Sequence, residues 1–144
     1  MHWHLYKERA YGPAPVSSSD VLRCVTGLFV VMDRIATFNH FIARSPNDPF
    51  PRYGLAMEYK ARAELDRAWL AFQDLLNQFA DYVPTYLMAG GTLLALGRHA
   101  EAAEVFRRGI EAAGRTGDQH ARGELETALA EVLDPVVKPE VRIP

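Results

Sequence analysis

The chain has 144 residues, 49% of them hydrophobic and 24% charged, with a net charge of −2, a balance that suits one globular domain with a buried core. That charge leaves no concentrated basic face for a nucleic-acid backbone, and no apolar run approaches the roughly 20 residues that span a bilayer. The single cysteine, Cys24, excludes an internal disulfide and suits a reducing compartment, so a cytoplasmic location is expected.

Residues 1–19 have no helical period, and their glycine, prolines and serines read as a loose arm. His2 and His4 offer too few ligands for a metal site, and neither a metal nor a cofactor is expected. Residues 20–31 are apolar and rich in valine, with Gly27 among them; they fit a worn helix, a strand or an appendage. The run Val21–Met32 is interrupted by Arg23, with no basic region directly before it and no good cleavage site, so it is not read as a signal peptide. The expected domain covers 32–133, with 1–31 dispensable for folding and 134–144, rich in proline, an extended tail.

Within that domain Asp33–Arg44 places Ile35, Phe38, Phe41 and Ile42 on one helical stripe. Ser45 to Pro49 ends it, and Asp48 before Pro49 is a helix-start pair. Further helices are predicted at 50–62, 65–79, 83–96, 99–114 and 118–133. Gly97 supplies the left-handed residue at one tight joint. Ala63 stands in the matching slot of another, at a predicted cost of a few tenths of a kcal/mol or more. A break is predicted over Gly114–Gly117, with Asp118 as the next cap. The last helix puts Ala121, Leu125, Ala128, Leu129 and Val132 on one face and Arg122, Glu124, Glu126 and Glu131 on the other, the pattern of a lid over the end of a stack.

Residues 49–82 and 83–116 repeat with a period of 34. Ala56 falls on Gly90, Tyr59 on Leu93, Ala63 on Gly97, Ala68 on Ala102, Phe72 on Phe106 and Leu76 on Ile110. One period earlier, Phe38 and Ile42 take the slots of Phe72 and Leu76, so 32–46 reads as the second helix of a degraded repeat. A period of this length marks stacked helix pairs, which bury their faces only against neighbours.

Catalysis finds little footing. None of the five histidines falls in a motif with a nucleophile or carboxylate; Cys24 lies in an apolar run, and Ser17–Ser19 have no histidine near them in sequence. Gly90-Gly91 reads as close packing inside a helix rather than a phosphate loop. Arg107, Arg108 and Arg115 form the one small basic patch in view.

The slots Tyr86, Gly90, Leu93, Gly97, Ala102 and Phe106 resemble those of the tetratricopeptide repeat family. The run from Tyr53 to Leu76 matches less fully, since Arg52 stands where the family favours a large aromatic. The resemblance implies an all-α helix–turn–helix solenoid of about two and a half repeats with a C-terminal capping helix. It also implies a concave groove lined by the first helices. Here that groove would present Tyr53, Met57, Lys60 and Ala61, then Leu87, Met88, Gly91 and Leu94. Members that grip the carboxylate tails of heat-shock chaperones use Lys, Arg and Asn in these slots. Tyr53, Met57 and Met88 stand in comparable places here, so no such clamp is expected. An apolar or amphipathic helix of a protein partner suits this surface, with Lys60 as a polar selector at its edge. The expected function is non-catalytic protein binding. The alternatives are a self-assembling scaffold, a homodimer through the same groove or through 21–32, and coverage of the groove by the chain's own Val21–Met32; an enzyme or accessory subunit is a distant further reading. No nucleic acid and no membrane is expected as a partner.

Overall fold

The structure, a computed structural model, describes residues 34–134. The expectations for the arm, the apolar run at 21–32 and the tail fall outside the described residues. Apart from Arg34, everything described belongs to one of the molecule's two compact units, Ile35–Pro144. Every described element is a helix: α1 Arg34–Arg44, α2 Pro49–Ala61, α3 Leu65–Gln78, α4 Pro84–Ala95, α5 His99–Thr116 and α6 Gln119–Leu133. Each helix from α2 onward packs on the next, and α6 also reaches back to α4. Hence α2/α3 and α4/α5 are two stacked pairs, and α6 caps the second of them against α4 and α5.

The repeated slots form the core. Ala56, Ala68, Ala102, Phe72 and Phe106 are all buried, none more than 1% exposed. The reason for the small slot is visible at Gly90: a Cβ there would lie 2.8 Å from Cδ1 of Phe106, so only glycine admits the ring. One period earlier in sequence, the Phe38 ring covers α2 at Gly54, where a Cβ would approach its Cζ to 2.7 Å. Phe38 and Ile42 are half-buried in this way, whereas Phe41 of the same expected stripe is 50% exposed. Gly91 departs from the close-packing expectation. A Cβ on it would meet nothing nearer than the Lys60 Nζ at 3.8 Å.

The two tight joints are the same turn built from different residues. Gly97 has φ 75° and Ala63 φ 59°, both left-handed. The amide after each donates back to the preceding helix, Glu64 N to Tyr59 O at 3.0 Å and Arg98 N to Leu93 O at 2.8 Å. An alanine Cβ is strained in that conformation by roughly 1–2 kcal/mol, part of which glycine returns as unfolded-chain entropy. Ala63→Gly is therefore expected to raise stability by about 0.5–1 kcal/mol in chemical denaturation, without change in helical content.

Arg52 occupies the slot where the second repeat has Tyr86, and it solves the same problem differently. Tyr86 is 1% exposed and its hydroxyl donates to the Ala80 carbonyl at 2.6 Å. Arg52 instead lays its guanidinium 5.9 Å from the Phe79 ring centroid and donates to Asp74 Oδ2 at 3.2 Å. An aromatic plug becomes a stacked cation, which its planar guanidinium allows.

The break predicted over Gly114–Gly117 falls at its last residue. Helix α5 continues through Gly114 to Thr116, whose hydroxyl donates to the Ala112 carbonyl at 3.1 Å. The left-handed residue is Gly117, φ 76°, and Asp118 Oδ1 then accepts the Ala121 amide at 3.0 Å to start α6. Two arginines of the anticipated basic patch are paired with carboxylates. Arg107 lies 3.4 Å from Glu104, and Arg115 pairs with Asp81 at 3.0 Å, one full repeat away in sequence. No described helix is long and apolar enough to cross a membrane.

Candidate functional site

Helices α2 and α4, the first of each pair, and α6 meet around a cavity of about 260 Å³. Tyr53 of α2 and Leu87 and Met88 of α4 line it, together with Val83 and Pro84 at the start of α4. Tyr53 is fixed by its ring neighbours. It meets Tyr82 edge-on at 5.8 Å between centroids and leans on buried Phe72 at 6.2 Å. Burial, and then the neighbouring Tyr82, push its hydroxyl above the usual tyrosine range. At neutral pH it stays an uncharged donor and acceptor beside an apolar wall.

The third wall comes from α6: Asp118, His120, Ala121 and Glu124, over buried Leu125. His120 Nε2 is 3.5 Å from Glu124 Oε1. These residues were not among the expected groove positions. The lid reading of α6 holds for buried Leu125 and for Arg122, which meets Glu126 at 2.9 Å, but Glu124 lines the cavity wall. The period itself finds Ala121, since a further shift of 34 carries Leu87 to it.

Lys60 stands at the other end of the same surface, in the last turn of α2. Its ammonium donates to Met88 Sδ at 3.7 Å and passes over Gly91. Among the described residues it is the sole lysine and has no carboxylate partner. By contrast, every arginine from Arg52 to Arg122 except Arg108 sits within 3.4 Å of a carboxylate. Of the expected positions, then, Tyr53, Leu87 and Met88 converge on the cavity, while Lys60 and Gly91 adjoin it through Met88. Met57 and Leu94 are half-buried against the core and lie outside the cavity lining.

The solved structures that this fold is similar to include a tetratricopeptide repeat domain protein from Salinibacter ruber. In its solution structure it is 36% identical, with 60% of this chain and 88% of that one covered, at a TM-score of 0.58. Its crystal structure gives 34%, 61% and 99%, at 0.59. The chain belongs to the tetratricopeptide repeat family. The yeast Sti1 TPR2B domain, solved in complex with pHsp70, shares the fold at 14% identity, with 75% of this chain and 89% of that one covered and a TM-score of 0.64. No family model matches the chain, and no curated protein does.

Set in this tetratricopeptide repeat frame, the cavity is the groove side, lined by first helices. On the side of the second helices lies a hollow of about 210 Å³ floored by Trp69, Leu76 and Val105. Its two rim carboxylates are paired, whereas Arg108 on the same rim meets no carboxylate among the described residues. Glu101 is held by Arg98, which also stacks 5.3 Å over Trp69, and Glu104 by Arg107. No group of three or more metal-ligating side chains occurs among the described residues.

Proposed function

We propose that this tetratricopeptide repeat chain is a protein-interaction module that holds an apolar or amphipathic helix of a partner against Tyr53, Leu87 and Met88. The observation that carries this is the cavity itself, walled by half-buried apolar side chains from α2 and α4 and left open by the packing of the described residues. An open apolar hollow on a folded domain gains free energy when another surface fills it. The pairing in the yeast Sti1 neighbour, a TPR2B domain with pHsp70, supports a protein as the occupant. A helix suits this wall better than an extended chain. It brings its backbone groups already hydrogen-bonded, whereas Tyr53 and Lys60 are the only expected groove positions with polar side-chain hydrogens to offer.

Leu87→Lys tests the proposal. Its long side chain fills the cavity and finds Glu124 and Asp118 as neighbours, so folding is expected to lose no more than about 1 kcal/mol. Helical peptides selected on the unaltered protein from a display library should bind the variant at least tenfold more weakly, a difference of about 1.4 kcal/mol. Equal binding to both proteins would reject the groove. Light scattering of the same pair covers self-association: a dimer that Leu87→Lys dissolves would assign the groove to a second copy.

A further inference from the structure

We propose that the groove is electrically polarised and selects a partner helix carrying an acidic residue at one end of its apolar stripe and a basic residue at the other. This rests on the groove reading above and adds the chemistry and orientation of the ligand. Three observations carry it. The cavity lining contains two carboxylates, Asp118, which caps α6, and Glu124, 3.5 Å from His120, and no lysine or arginine. The one described lysine lies on the same surface, over Met88 and Gly91, with no carboxylate to neutralise it. The surrounding arginines are consumed in pairs, so Lys60 is left as the local cation.

The two poles face each other across one helix spacing. The Lys60 ammonium reaches Met88 and Gly91 of α4, and α6, which carries Glu124 and is capped by Asp118, packs against that helix, about 8–10 Å across. An α-helix covers that distance in about six residues, just under two turns. Between the poles the surface is Tyr53, Leu87 and Met88, so the matching ligand is apolar in its middle. A ligand acidic at both ends would meet Asp118 and Glu124 with like charge, and one basic at both ends would meet Lys60 the same way.

The test uses the full chain and three labelled synthetic helical peptides with one shared leucine stripe. One has glutamates at one end and lysines at the other, one has glutamates at both ends, and one has lysines at both. Fluorescence anisotropy is expected to rank the mixed peptide first, two- to fivefold tighter than either other, with the margin shrinking in high salt. Lys60→Glu should transfer first place to the all-lysine peptide, and Glu124→Lys should move preference toward the all-glutamate one. If the all-lysine peptide already binds the unaltered protein best, the net charge of −2 explains the preference and the polarity is overturned. Three equal affinities that Leu87→Lys abolishes would overturn the polarity and leave the groove standing. Binding by none, or binding indifferent to Leu87→Lys, would overturn both.

Discussion

Phe72→Ala and Phe106→Ala are each expected to lower stability by about 3–5 kcal/mol, against a total of about 5–15 kcal/mol for a domain of this size. Both rings are at most 1% exposed, and each is a large apolar group whose removal leaves a cavity that rigid helices fill poorly. Phe106 rests on Gly90 within its own pair, so its loss opens the seam between α4 and α5. Phe72 has a second role, since its ring supports Tyr53 at 6.2 Å and through it one wall of the groove. Phe38→Ala is the internal comparison. That side chain occupies the same sequence slot but is half-buried, and its loss should cost clearly less than either of the others. Chemical denaturation of the three variants reads this order directly. A Phe38 effect as large as the Phe106 effect would mean that α1 is as deeply integrated as the repeats.

What was legible beforehand follows from what repeats. The small and aromatic slots recur because each pair must pack on the next in the same way, so Ala56, Phe72, Gly90 and Phe106 could be read as core from spacing alone. Even the strained Ala63 was visible, because its partner Gly97 marks that slot as a left-handed one. The site was legible in part. Tyr53, Leu87 and Met88 lie on rows the period defines, whereas Glu124 and His120 were hidden by their polarity. On a helix wheel a carboxylate that faces water and one that faces a groove look alike, and only the packing of α6 against α4 separates them. Helix ends posed a similar ambiguity. Gly114 and Gly117 are three residues apart and equally able to stop α5. The chain turns at Gly117, which brings Asp118 into position to accept the Ala121 amide. The pairing of Arg115 with Asp81 was beyond reach for another reason. Local charge rules cover neighbours three or four residues apart on one helix, and this pair spans a whole repeat.

Gly90 and Gly91 are adjacent in the same helix, yet alanine is expected to have opposite effects at them. On propensity alone, each Gly→Ala in a helix interior gains about 1 kcal/mol. At Gly91 nothing opposes that gain, because the new Cβ meets only the Lys60 ammonium at 3.8 Å. Gly91→Ala should therefore stabilise by about 0.5–1 kcal/mol. At Gly90 the methyl would press on the Phe106 ring, with three of its carbons closer than an ordinary contact. The ring is a stiff plate and 1% exposed, so it has no free space to retreat into. Overpacking of this kind costs about 1–3 kcal/mol, and Gly90→Ala should destabilise by about 1–2 kcal/mol after the propensity gain is counted. Thermal melts of the two variants decide the matter, since a gain at both positions would show that Phe106 can yield. The contrast also separates packing from binding. The methyl of Gly91→Ala is too small to close the groove, whereas Gly91→Leu sets a branched side chain beside Lys60 and Met88. The leucine variant is expected to melt no lower than the original while binding helical peptides at least tenfold more weakly, a combination that glycine kept for packing alone would not produce.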